Sequence, residues 1–145
     1  MFALCLLVAC GDDFRSAQEA NTIDAFENYL KENPDGRYII QAKAQLETMY
    51  LESARKEASL EAYDRYLNRF PKGDLRTRAL EEREKFLFRW AKENGSEAAW
   101  ERFLKEYPHA ERKRLKTAKR MRNVASYVDK LSWTCLLYTS PSPRD

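Results

Sequence analysis

The apolar residues of this chain fall at helical spacing in three successive stretches, divided by short polar turns. Tyr63, Tyr66, Leu67 and Phe70 stand at i, i+3, i+4 and i+7, and Trp100, Phe103, Leu104 and Tyr107 repeat that spacing, so each set lines one face of a helix. A shorter stripe containing Phe26 and Tyr29 stops at Asn33. Each stretch opens on a hydroxyl residue, Thr22, Ser59 or Ser96, whose side chain can accept from a free backbone N–H of the first turn. An acidic residue follows, Asp24, Glu61 or Glu97, where the helix dipole favours negative charge. Pro34, Pro71 and Pro108 close the stretches, because proline biases the residue before it away from the α region. The pairs Asp35-Gly36 and Lys72-Gly73 then supply turns. Long helices are predicted next, from Arg37 to Glu57, Asp74 to Asn94 and Ala110 to Leu131. Their stripes are Ile39, Ala42, Leu46, Met49, Tyr50 and Ser53; Leu75, Ala79, Phe86, Leu87 and Trp90; and Leu115, Ala118, Met121, Ala125 and Val128. Phe14 to Ala20 is expected to be the tail of a preceding long helix.

The stretches are copies of one another. Thr22–Pro34 aligns without gaps to Ser59–Pro71 and to Ser96–Pro108, each time with a shift of 37 residues. Phe14 and Ala17 correspond to Leu51 and Ala54, then to Phe88 and Ala91. A period of this length marks stacked supersecondary units, none able to bury its apolar face alone. The expected fold is therefore all-α, a solenoid of helical hairpins, with a lead-in at 10–21 and repeats at 22–58, 59–95 and 96–134. Within it Phe26, Tyr29, Tyr63, Tyr66, Trp100 and Phe103 are expected as core and not as a ligand box. The aromatic–x–x–aromatic–Leu–x–x–x–Pro ending of the short helix resembles the tetratricopeptide-like repeats of bacterial envelope proteins, over nearly all of the chain from Cys10 to Thr134. Two features depart from that family: the period exceeds its usual 34 residues, and the long helices lack its Gly-Tyr pairing. The resemblance implies a scaffold whose exposed face binds other envelope proteins.

The two ends carry separate signals. Phe2 to Ala9 is an uninterrupted apolar run ahead of Cys10-Gly11-Asp12-Asp13. It is too short to span a bilayer and has the length of a signal-peptide h-region. Leu7-Val8-Ala9-Cys10 resembles the lipobox of bacterial lipoproteins. That resemblance implies a signal peptide over 1–9 and acylation of Cys10, which would anchor the chain to a membrane. Gly11 stands where, in enteric bacteria, an Asp retains lipoproteins in the inner membrane, so the outer membrane facing the periplasm is expected. The basic n-region is missing, since Met1 leads straight into the apolar run. An ordinary buried apolar segment with a chance cysteine is the alternative. At the other end, Cys135 to Asp145 can be back-translated codon by codon into a string that resembles a common transposase sequencing adapter. These residues are expected to be foreign to the natural chain and are excluded from fold reasoning. Cys10 is then the one lasting cysteine, and no disulfide is expected.

Composition adds a helical, water-soluble character: 34% charged residues, with 4 glycines and 5 prolines. It offers little for catalysis. His109 is the single histidine, directly after Pro108, with no partner at metal-ligand spacing and no Ser–His–Asp set to join. Gly11, Gly36, Gly73 and Gly95 are isolated, so no phosphate-cradling loop is present. No enzyme activity, metal or cofactor is expected of this segment; a catalytic or carbohydrate-binding domain downstream of Thr134, with the repeats as its spacer, stays open. One stretch breaks the charge balance. Between Glu111 and Arg122 stand Arg112, Lys113, Arg114, Lys116, Lys119, Arg120 and Arg122, giving +6 where the whole chain carries +3. Such a helix could meet anionic lipid or another acidic polymer, or serve only as a solvated outer face. Nucleic acid is not expected as a partner of an exported protein.

Overall fold

Seven α-helices and no strand make up the described part of the chain. The computed structural model describes the backbone of residues 13–139 and the side chains of residues 13–132. Ala79 closes a first compact unit and Leu80 opens a second. The first holds α1 (Asp13–Ala20), α2 (Ile23–Glu32), α3 (Ile39–Glu57), α4 (Leu60–Arg69) and the start of α5 (Arg76–Asn94). The second holds the rest of α5 with α6 (Glu97–Glu106) and α7 (Arg112–Thr139).

Local chemistry sets these limits. Thr22 Oγ1 accepts from the Ala25 N–H at 3.2 Å, Ser59 Oγ from Ala62 at 3.1 Å, and Ser96 Oγ from Ala99 at 3.2 Å, so each expected N-cap is made. The short helices end at Glu32, Arg69 and Glu106, and the cap residues Asn33, Phe70 and Tyr107, each directly before a proline, donate their N–H groups to the carbonyls of Tyr29, Tyr66 and Phe103. Long and short helices meet at a left-handed residue each time: Asn21 (φ 46°), Ala58 (φ 49°) and Gly95 (φ 71°). An alanine in that region is strained by its Cβ. Ala58→Gly is accordingly expected to stabilise the protein by about 1 kcal/mol, read as a higher urea midpoint.

In the first unit α2 packs against α1 and α3, and α3 packs against α4. Ala17, Phe26, Tyr29, Ala42 and Leu46 form one core cluster, bordered by Phe14, Ile23 and Tyr38. Leu51 and Ala54 of α3 are buried too, as are Leu60, Ala62, Tyr63 and Tyr66 of α4. A helix held between two neighbours buries a wider face than one stripe supplies. This corrects the expectation for α3: Ser53 is exposed, and Glu47 is buried in its stead.

In the second unit Trp100 and Phe103 are fully buried, with the Phe88 ring edge-on to both at 5.6 and 5.1 Å. Leu87, Ala91, Ala99, Ala118 and Ala125 complete that core. All six aromatics expected as core are buried. Val128 is not: it is 58% exposed, in a patch with Val124, Tyr127 and Leu131. The reason is length. α6 has 10 residues, about 15 Å at 1.5 Å per residue, and Val128 lies about 24 Å along α7 from its start at Arg112, so α6 covers only part of its partner. α7 also runs to Thr139, past the expected end of the natural chain at Thr134.

Candidate functional site

Glu47 is the one charged residue that the described chain buries, 7% exposed. A carboxylate out of water needs donors, and three are supplied by the far end of α4 and the turn behind it. The Tyr66 hydroxyl donates to Oε1 at 2.6 Å, the Leu75 N–H to Oε1 at 2.9 Å, and the Asp74 N–H to Oε2 at 3.3 Å. The two amides are free because α5 starts only at Arg76, and the first N–H groups of a helix have no partner within it. Gly73 makes the approach possible: a Cβ there would lie 2.1 Å from Oε1 of Glu47. Burial, together with the bond to Glu47 and its charge, pushes the Tyr66 hydroxyl well above the usual tyrosine range. Nearby, Glu27 accepts from the Tyr50 hydroxyl at 2.8 Å and from Arg69 at 3.1 Å. Sequence reasoning missed Glu47 because a glutamate in a helix counts as polar. A signal was there: Glu47 and Glu84 occupy the same place in the 37-residue register, as do Tyr66 and Tyr29, and Gly73 and Gly36.

The second unit treats the corresponding glutamate differently. Phe103 brings no hydroxyl and Ala110 replaces the glycine; Glu84 instead pairs with the Arg114 guanidinium, which also reaches Glu111 at 3.4 Å. Arg114 therefore faces inward and is separated from the other basic residues of α7. Arg122 is half-buried and donates to Asn123 Oδ1 at 3.0 Å. The remaining five, Arg112, Lys113, Lys116, Lys119 and Arg120, are all exposed. At 100° per residue they fall within an arc of about 120°, opposite the buried Ala118 and Ala125.

A further network holds α5 to α6 inside the second unit. Arg83 donates to Glu106 at 2.7 Å and to the Tyr107 hydroxyl at 2.9 Å, while Arg102 reaches Glu106 at 2.8 Å. Burial raises the Glu106 pKa, but the two guanidiniums outweigh it and hold the carboxyl below the usual range. A carboxyl depressed by folding contributes stability above its unfolded pKa and loses it as the pH falls through the folded value. The urea midpoint is expected to drop as the pH is taken below about 4.3, and Glu106→Gln to flatten that part of the profile.

The first unit also carries a groove of about 540 Å³, lined by Leu30, Ile40 and Phe70, with Lys43, Arg69, Lys72 and Asp74 at its edge and Glu47 in its wall. Ile40 is 82% exposed there. Cys10 and the lipobox lie outside the described residues, and among the described helices none is long and apolar enough to cross a membrane. His109 is exposed in its turn, and among the described residues no three of His, Cys, Asp and Glu converge as a metal site. No family model matches the chain, and neither a curated protein nor a solved structure is found to be similar to it.

Proposed function

We propose that the protein is a lipid-anchored scaffold of the bacterial envelope, with tetratricopeptide-like hairpin repeats that hold other envelope proteins at the outer membrane. The observation that carries this reading is the return of helix starts in register: α2, α4 and α6 start at Ile23, Leu60 and Glu97, and α3 and α5 at Ile39 and Arg76, 37 residues apart, with α7 one residue short of that spacing at Arg112. Units of this kind stack, and their outer faces serve as binding surfaces. The Ile40 groove supports it, since an apolar side chain left in water within a concavity rimmed by charged residues suits a partner's segment. Acylation at Cys10 supplies the anchor, and the lipobox is its support. No catalytic role is assigned to this segment.

The test uses the full chain in a Gram-negative host, with labelled palmitate and a photo-crosslinking residue in place of Ile40. Palmitate incorporation that Cys10→Ser abolishes, together with a crosslink to a defined envelope protein, is the expected result. An unlabelled protein in the soluble fraction would overturn the anchor, and absence of any adduct from position 40 would overturn the groove as the docking face.

The exposed basic arc of α7 favours one second reading, contact with anionic lipid or polymer. Arg112→Glu with Arg120→Glu is expected to weaken binding to phosphatidylglycerol vesicles at least tenfold, and added salt to weaken the unmodified chain likewise. Vesicle binding unchanged by both would leave the arc as a solvated face.

A further inference from the structure

The seat that holds Glu47 has a counterpart one repeat earlier, within the same unit, and there it holds no carboxylate of the described chain. Shifted back by 37 residues, Tyr66 becomes Tyr29, Gly73 becomes Gly36, and the amides of Asp74 and Leu75 become those of Arg37 and Tyr38. The turns are built alike. Gly36 N–H donates to the Asn33 carbonyl at 3.1 Å and Ile39 N–H to Gly36 at 3.3 Å; Gly73 N–H donates to Phe70 and Arg76 N–H to Gly73, both at 3.2 Å. Tyr29 is only 6% exposed, its hydroxyl comes within 3.1 Å of where a Gly36 Cβ would stand, and that hydroxyl has no hydrogen-bond partner among the described residues. The ring is buried while the hydroxyl is left to face a pocket of about 230 Å³, where its donor is open to water or to a ligand's acceptor.

The pocket is walled by rings. Phe14 stacks on Tyr38 at 4.8 Å and meets Tyr29 at 5.3 Å, with Asn33 in the place that Phe70 takes in the second seat. Its charge differs too. Arg37 lines the pocket where the occupied seat has Asp74, which favours an anion; Asp13, exposed and also lining the pocket, is the opposing charge. The residue at the register position of Glu47 in this copy is Cys10, so the repeat supplies no glutamate there.

We propose that the pocket between Tyr29, Gly36 and the start of α3 binds a carboxylate, the side chain of a glutamate brought by a partner polypeptide. The Tyr29 hydroxyl and the Arg37 and Tyr38 amides are its donors, and Arg37 draws it in. The assignment deepens the scaffold reading by naming the group the partner brings, and rests on that reading only for the source of the carboxylate.

The test is an amide NMR titration of the full chain at pH 7 with N-acetyl-glutamate methylamide, its neutral glutamine counterpart, and acetate. The expected result is saturable shifts at Arg37 and Tyr38 with the glutamate compound, absent with glutamine, and weakened at least fivefold in Tyr29→Phe. Gly36→Ala, which crowds the seat, is expected to abolish them. Shifts that survive in Tyr29→Phe, that glutamine reproduces, or that never arise would overturn the site while leaving the Cys10 and Ile40 experiments untouched. Acetate binding as tightly as the glutamate compound would overturn the polypeptide source in favour of a free small acid.

Discussion

Glu47→Ala is expected to destabilise the first unit by about 3 kcal/mol, because it strands donors and does more than remove a contact. The Tyr66 hydroxyl lies in a fully buried side chain and loses its acceptor, while the part-buried Asp74 and Leu75 amides lose theirs. Each buried donor left unmade costs about 1–3 kcal/mol, and the amides can recover part of theirs from water. Gly73→Ala is expected to act through the same group. Its Cβ would lie 2.1 Å from Oε1 and 2.7 Å from Cδ of Glu47, so the carboxylate must leave the seat, at a cost of about 2–3 kcal/mol. The two changes are then coupled, and the double variant should be little worse than Glu47→Ala alone. Urea unfolding followed by circular dichroism gives the cycle, and hydrogen exchange at Asp74 and Leu75 reports the seat directly. Additive losses would mean that Gly73 is needed for its 3.0 Å approach to the Phe70 Cβ and not for the carboxylate.

What the chain shows in its sequence is what local chemistry decides. The hydroxyl caps and prolines place the short helices because a cap and a missing N–H act within one turn of themselves. The six aromatics were legible as core because helical spacing puts them on one face. The long helices begin two residues later than the predicted starts at Arg37, Asp74 and Ala110, at Ile39, Arg76 and Arg112. In the two earlier copies the intervening residues form a turn, and in the second its amides serve Glu47. That displacement is what makes a carboxylate seat, and no single residue announces it. Burial of Glu47 depends on a hydroxyl 19 positions away and a turn 27 positions away, so only the comparison of copies makes it visible. Exposure of Val128 depends on where α6 stops, which periodicity within α7 does not encode.

Trp100→Ala is expected to cost about 3–5 kcal/mol in the second unit, the usual range for emptying a large aromatic site. The residue is 0% exposed, and Phe88 and Phe103 of its core would face the space it leaves. Trp100→Phe separates packing from polarity. The indole Nε1 is buried without a hydrogen-bond partner, so replacing it with phenylalanine removes an unmet donor while keeping a ring against Phe88. Some volume is lost, but relief of the unpaired N–H offsets part of it, and the net cost is expected to stay below about 1.5 kcal/mol. Circular dichroism is the readout, since fluorescence would lose the buried indole and report only Trp90 and Trp133. If Trp100→Phe were as damaging as Trp100→Ala, the N–H would have to be bonded in solution and the indole valued for its polar edge. Near-unchanged stability in Trp100→Ala would mean that the ring does not hold this core together, and binding measurements on that variant would then decide whether it belongs to a partner's site.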